Sequence, residues 1–353
     1  MSSAHAVDGI LEVPVIDISA FRDGDAADRA RVAAAVDRAA TEVGFMQIVG
    51  HGIPESVRTG LAAASDAFFG LPMERKLACV PAAPGVNRGY TAPRTERLSH
   101  SLGVYSPDDL FEAFNIGTQA TDFPEVVLPQ QYYPANLWPE GQDPVRAQIS
   151  AWFTHAGAVA RTMTRIFAVA LGLPEEYFTP FEGHTIDVLR MNNYQLPPAD
   201  AAIESGQLGM GAHTDYGIVT ILWADAVRGL QILDTDGVWH DVIPVPGALL
   251  VNLGDLLARW TNDRWISTLH RVLPPVDAQG SLYRRRSAAY FHDGNFDAVI
   301  ETLPGCVTAD RPAHYPPITV AEHLTQKLAG SRGLELNADA EREAARLRAA
   351  VTQ

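Results

Sequence analysis

The chain has 353 residues, 47% of them hydrophobic and 20% charged, and carries a formal net charge of −15. This is the composition of a globular enzyme, and nowhere do the ~20 uninterrupted apolar residues of a membrane helix occur. The acidic balance opposes contact with a phosphate backbone, and the basic residues are scattered rather than striped along one face, so neither a nucleic-acid nor a membrane partner is expected.

Met1 to Ile10 contains Asp8 and lacks both the basic start and the apolar core of a signal peptide, which points to a cytoplasmic protein. Val13 to Ile18 is a short β-type run. Asp25 to Val43 follows as an alanine-rich helix, with Val32, Ala35, Val36 and Ala39 at helical spacing and Gly44 as its stop. Phe45 to Val49 reads as a strand closed by Gly50-His51-Gly52-Ile53-Pro54, and Glu55 to Phe69 as a second helix. The two cysteines, Cys79 and Cys306, lie outside any Cys-x-x-Cys spacing, so no disulfide framework or thiolate zinc site is expected. The stretch from Pro81 to Pro129 is rich in Pro, Gly, Asn and Asp with weak periodicity, which suits a long irregular loop bordering a site.

Pro144 to Leu173 spaces Ile149, Trp152, Phe153, Val159, Met163, Ile166 and Phe167 along one helical stripe. From Asp187 to Val299 the pattern changes to short β-runs separated by turn signals: Val188 to Tyr194, Ile218 to Trp223, Leu230 to Leu233, Ala248 to Leu253, and Ser287 to Phe291. Strands at this spacing suit a sandwich or barrel of the jelly-roll type. The expected fold class is therefore mainly β with helical flanks, an α+β chain. One compact domain over residues 1–353 is the simplest organisation, with a helix-rich part to residue 180, a β core over 185–300 and a closing charged helix over 318–353.

His213-Thr214-Asp215 lies at the start of a β-run, where alternation points the first and third side chains to one face. Together with the distant His270 they offer two imidazoles and a carboxylate, a set that suits iron(II) and leaves coordination positions open. A His-x-Asp pair also caps ordinary turns, so the argument needs a second feature. Arg284-Arg285-Arg286 supplies one. Alternation places Arg285, Ser287, Ala289 and Phe291 on one face, opposite Arg286 and Tyr290, so a guanidinium fork and a hydroxyl could grip one carboxylate. Asn192 and Tyr194 share a face by the same rule. The bland alternatives are a solvated charged strand for the arginines and a buried ring for Tyr194.

With these motifs in order, the chain resembles the 2-oxoglutarate and iron(II)-dependent dioxygenase superfamily, in the branch that includes isopenicillin N synthase and the plant flavonoid, gibberellin and ethylene-forming oxidases. The resemblance runs through Val13 to Asp17, Gly44-Phe45 to Pro54, Phe68-Phe69 to Pro72, Gly211 to Gly217, Gly229-Leu230-Gln231, Val251 to Asp255, Ser267 to Val272 and Arg285-Arg286-Ser287. It implies a distorted double-stranded β-helix (jelly-roll) core, with His213, Asp215 and His270 as iron ligands. It also implies that Arg285 and Ser287 hold the distal carboxylate of 2-oxoglutarate, and that Asn192 and Tyr194 match an Asn-x-Tyr element beside the co-substrate. Gln195-Leu196-Pro197 departs from the prolines usual after that tyrosine. His51 reads as a structural turn residue and Asp255 as a carboxylate capping the core.

The implied activity is oxidation of a small molecule by O2, hydroxylation before desaturation or cyclisation, with 2-oxoglutarate leaving as succinate and carbon dioxide. Three rivals compete: an oxoglutarate-independent oxidase of the isopenicillin N synthase type, a zinc hydrolase on the same ligands, and a non-catalytic jelly-roll binding protein. In the loop from Pro81 to Gly117, Arg88, Tyr90, Arg94 and Arg97 could receive an anionic substrate, although scattered loop arginines usually face solvent. Phe291, His292 and Phe296 are expected to line the opposite wall. Secondary metabolism is the setting implied by the resemblance.

Overall fold

The structure is a computed structural model that describes residues 12–83, 85–102, 106–196, 203–277 and 282–331. The expectations for Met1 to Ile10 and for the helix beyond residue 331 lie outside these residues. The chain begins with β1 (Val15–Asp17), α1 (Ser19–Asp23), α2 (Ala26–Glu42), β2 (Phe45–Val49), α3 (Glu55–Phe69) and α4 (Met73–Leu77). Asp25 starts α2 by accepting from the backbone N–H groups of Ala27 and Asp28 at 2.9 and 3.0 Å. Gly44 ends it at a φ of 71°, in a spot where a Cβ would come within 2.3 Å of the Ile266 carbonyl.

Two strands then rise from the stretch expected to be irregular, β3 (Gly89–Thr91) and β4 (Glu112–Gly117). This is a correction. Every residue of β4 is buried, and it pairs along its whole length with β5 (Val188–Asn193). Between them α5 (Asp143–Ala170) lays Ile149, Trp152, Ala156, Ala160, Met163 and Phe167 against the back of the sheet, all fully buried. The core continues through β6 (Met210–His213), β7 (Val219–Ala224), β8 (Leu230–Leu233), β9 (Trp239–Asp241), β10 (Leu249–Leu253), α6 (Asp255–Trp260), β11 (His270–Val272) and β12 (Arg286–His292). It ends with β13 (Val299–Ile300), β14 (Ile318–Thr319) and α7 (Val320–Ser331).

The strands form an eight-stranded sheet in the order β1-β2-β10-β7-β12-β5-β4-β3 and a four-stranded sheet in the order β6-β11-β8-β9. All pairings in them are antiparallel except β1 with β2. This is the expected jelly-roll core with helical flanks. Register decides what faces the interior of the roll. Ser287 stands opposite Asn192, Ala289 opposite Arg190, and Phe291 opposite Val188. One strand further, Ala113, Asn115 and Gly117 continue the same three rows. Because opposed residues share a face, these rows line the cavity, while Arg286, Ala288 and Tyr290 point back towards the helices.

Candidate active site

The two imidazoles are brought together by strand pairing. His213 ends β6, His270 opens β11, and the ladder sets them opposite each other with ring centroids 4.3 Å apart. Asp215 arrives differently from the expectation: it lies beyond the end of β6, not on a strand, so alternation does not aim it. Its side chain is instead held by neighbours, since Oδ2 accepts from Asn252 Nδ2 at 2.6 Å and from the Thr220 hydroxyl. That leaves Oδ1 3.8 Å from His213 Nε2 and 3.7 Å from His270 Nε2.

Each imidazole turns its Nδ1 to a backbone carbonyl, His213 to Gly211 at 2.7 Å and His270 to Thr268 at 3.1 Å. With Nδ1 donating, Nε2 presents a lone pair to the point shared with Asp215. Burial, reinforced by the neighbouring His270, lowers the His213 pKa to about 4, so this ring is neutral at ordinary pH. The three ligand atoms lie within 4.8 Å of one another, all from buried residues, and one face of the cluster opens on a cavity of about 1680 Å³ including its mouth. Two imidazole nitrogens and a single carboxylate, with an open side, fit a divalent iron.

Arg285, Ser287, Asn192 and Tyr194 all line this cavity. Of the three consecutive arginines, Arg284 is half exposed and pairs with Asp66 at 3.2 Å, while Arg286 pairs with Asp225 and Asp66 at 2.9 Å each. Arg285 differs. It is 2% exposed, its guanidinium lies 4.9 Å over the Tyr194 ring, and its Nε and Nη1 have no acceptor. A buried cation with idle donors is costly unless an anion meets it, and a carboxylate matches its fork. Beside it Asn192 Nδ2 donates to Ser287 Oγ at 3.3 Å, holding the hydroxyl next to the guanidinium on the cavity wall. Asn192 is steadied in turn by Arg190, whose Nε donates to its Oδ1 at 3.1 Å and whose Nη2 meets Glu96 at 2.7 Å. Burial raises the Tyr194 phenol pKa, so the ring stays neutral.

The residues expected to touch substrate divide. Arg88 and Phe291 line the cavity. Tyr90 does not: it stands opposite Phe114 on the helix-facing side of the sheet and donates to Glu112 at 2.6 Å. Arg94 reaches Glu204 at 3.4 Å and Arg97 pairs with Asp108, both outside the cavity wall. His292 points away from it, held by Asp187 at 3.1 Å and Glu182 at 3.3 Å, and Phe296 stacks on Tyr132 at 5.3 Å without reaching the wall. His51 is the turn residue it resembled, its ring bridging the Ile53 N–H and the Gly247 carbonyl. Asp255 accepts from Lys327 at 2.7 Å and Thr214 at 3.2 Å, tying the start of α6 to α7. Sequence reasoning missed Arg190, Asn115 and Asp293, all of which line the cavity. Asp293 lies just past the end of β12, where alternation gives no signal for it.

Residues 13–141 match the family described as non-haem dioxygenase in morphine synthesis N-terminal, and residues 186–294 match the 2OG-Fe(II) oxygenase superfamily. The chain is 35% identical over 314 residues to the 2-oxoglutarate-Fe(II) type oxidoreductase hxnY of Emericella nidulans, covering 88% of this chain and 87% of that one. It is 33% identical over 319 residues to the validamycin A dioxygenase of Streptomyces hygroscopicus subsp. limoneus, covering 89% and 85%. A full-length Neurospora crassa protein, solved in complex with alpha-KG and thymine, superposes with a TM-score of 0.80 at 31% identity, covering 93% of this chain and 99% of that one. Relatives spanning nearly the whole chain, a His-Asp-His cluster and an idle buried guanidinium in one cavity agree: the chain belongs to the 2-oxoglutarate and Fe(II)-dependent oxygenase superfamily.

Proposed function

We propose that His213, Asp215 and His270 hold the catalytic Fe(II) and that Arg285 and Ser287 hold the far carboxylate of 2-oxoglutarate, in a dioxygenase that hydroxylates a small molecule. The observation that carries these roles is the Arg285 guanidinium, buried, with two idle donors, and open to the same cavity as the three ligand atoms. When bound, iron and 2-oxoglutarate together couple O2 reduction to decarboxylation of the oxo acid, giving succinate, carbon dioxide and an oxidant able to take hydrogen from a C–H bond. The chain's own residues do the positioning. Asn252 and Thr220 fix Asp215 so that one oxygen faces the imidazoles. Asn192 donates to the Ser287 hydroxyl and so fixes its position, and Tyr194 supplies a neutral ring beneath the guanidinium. Ala289, one row above Ser287, keeps the middle of the sheet low, which leaves room for a co-substrate between anchor and metal. Leu222 and Val272 add apolar wall that excludes water from the reacting centre.

Arg88 and Phe291 border the substrate's share of the cavity in this reading. The proposed setting is cytoplasmic small-molecule metabolism; the net charge of −15 argues against a phosphate-backbone partner, and among the described residues no helix is long and apolar enough to cross a membrane. The test is anaerobic addition of Fe(II) and 2-oxoglutarate, followed by a pulse of O2. A metal-to-ligand absorption band that forms in the parent, is absent in His270→Ala and gives way to succinate with O2 is the expected result. A correctly folded, iron-loaded protein that shows neither band nor succinate would sink the assignment.

A further inference from the structure

Two ionisable side chains of the cavity lack a counter-ion among the described residues. Arg88 is 4% exposed and forms no ion pair among them. It donates to the carbonyls of Asn87 and Thr118 at 2.8 and 2.7 Å, and its buried Nε has no acceptor. Asp293 is 7% exposed, and its carboxylate neither receives a hydrogen bond nor joins an ion pair among the described residues. Burial accounts for both departures from ordinary behaviour, lowering the arginine pKa to about 10 and, together with Asp187, raising that of the aspartate to about 8.

Both groups occupy space that a side chain would otherwise fill. A Cβ on Gly117 would fall 2.5 Å from the Arg88 Cζ and Nη2, and one on Gly217 would fall 1.9 Å from Asp293 Oδ1. Neither glycine is at positive φ, so room rather than backbone freedom is what these positions require. The register places the pair. Gly117, Val188 and Phe291 form one row across the sheet, and Asp293, just past the end of β12, lines the same cavity. The arginine and aspartate thus stand at the end of the cavity face away from Arg285. At about 3.3 Å per residue, the six residues from Arg285 to Phe291 span roughly 20 Å, enough to set a co-substrate and a substrate end to end.

The two side chains line one cavity yet do not close into an ion pair. In the ligand-free protein Asp293 keeps its proton at neutral pH, and a ligand ammonium would displace that proton while the ligand carboxylate pairs with Arg88; a ligand bearing one charge alone leaves the other group without a partner. We infer that Arg88 and Asp293 form a two-pole substrate site for a small dipolar molecule of amino-acid type, its carboxylate on Arg88 and its ammonium on Asp293. The planar fork of arginine suits a carboxylate, and the unpartnered carboxyl of Asp293 suits a compact cation. This inference rests on the cavity being the oxygenase site proposed above.

The experiment measures O2-dependent succinate formation by the Fe(II) holoenzyme with a panel of short α- to ω-amino acids. Each is run beside its deaminated carboxylic acid and its decarboxylated amine. The expected result is an amino acid that stimulates turnover about tenfold more than either single-charge counterpart, the loss that one charge-assisted contact brings. In Asp293→Asn the preference over the deaminated acid disappears, and in Arg88→Gln the preference over the amine disappears. Should Arg88→Gln not fold, Asp293→Asn carries the test. No amino acid outperforming its counterparts, or a preference unchanged in Asp293→Asn, overturns the inference. The iron band recorded without substrate separates the two levels, because its presence alongside no dipolar preference leaves the oxygenase assignment standing.

Discussion

Replacing Arg285 by methionine removes a guanidinium while keeping an unbranched apolar stem, and its consequences for binding and for stability run in opposite directions. If the fork and a carboxylate exchange two charge-assisted hydrogen bonds of roughly 1.5–3 kcal/mol each, the loss is about 3–6 kcal/mol. At about 1.4 kcal/mol per decade that weakens 2-oxoglutarate by roughly two to four orders of magnitude. The ligand-free protein gains instead, because a cation only 2% exposed, with Nε and Nη1 unpartnered, is no longer held in the interior. Thermal unfolding with and without co-substrate reads both effects. At about a hundredfold excess over its Kd, 2-oxoglutarate adds about 2.7 kcal/mol to the parent, and at the same concentration it adds almost nothing to Arg285→Met. A variant that binds 2-oxoglutarate within about threefold of the parent, or whose ligand-free form melts several degrees lower, would refute the argument that this arginine waits for an anion.

Three further outcomes follow from the same geometry. Asn252→Leu frees the Asp215 oxygen that now accepts at 2.6 Å, and should weaken iron by roughly 10–100-fold in a chelator competition; unchanged affinity would show that Thr220 alone suffices. Burial disfavours the charged His292, but Asp187 and Glu182 outweigh it and raise its pKa from 6.5 to about 10. A raised imidazole stabilises the fold fully below pH 6.5 and loses that contribution as pH climbs through about 10, so denaturant midpoints should fall across that window and His292→Gln should flatten the slope. A slope identical in parent and variant would count against a charged His292. Gly211→Ala puts a methyl 2.4 Å from Ser99 Oγ and 2.8 Å from its backbone nitrogen, on the strand whose carbonyl orients His213. Lower iron affinity and a lower melting point are expected together, and wild-type values for both would mean that the segment at Ser99 yields freely.

Where local pattern and burial agree, the fold is legible in the sequence. The helix over Glu55–Phe69 and the strands over Phe45–Val49 and Leu230–Leu233 have the bounds their periodicity implies. β4 is hidden for a physical reason. Its sequence mixes Glu112 and Asn115 with apolar residues because Glu112 must neutralise buried Lys76 at 2.6 Å while Asn115 faces the cavity, so a buried strand reads as a polar loop. Missing β4 also conceals β3, and with it the fact that Tyr90 turns towards the helices. The metal cluster is legible in its residues and not in its mechanics, since Asp215 is aimed by two side chains from other strands. Arg285 is the opposite case: alternation alone separates it from Arg284 and Arg286. Asp293 has no motif to mark it, and it lies just past the end of β12, where alternation no longer aims a side chain.

Arginine at three successive positions creates an ambiguity that the strand resolves by itself. Sliding β12 by one residue would still deliver a guanidinium to the cavity, so ligand affinity alone is a weak guardian of the frame. Arg286 removes the ambiguity. Its backbone N–H and its Nε both reach Asp225 Oδ2, at 2.9 and 3.1 Å, its Nη2 meets Oδ1, and its Nη1 reaches the Ala62 carbonyl at 2.9 Å. A slip that brought Arg286 to the cavity would set Ser287 against Asp225 and lose them, and the opposite slip would force Arg286 into the Ser287 row against Asn192. The arginine that never meets the ligand therefore decides which arginine does, and changes at Asp225, behind the sheet, would reach the co-substrate through misalignment rather than through contact.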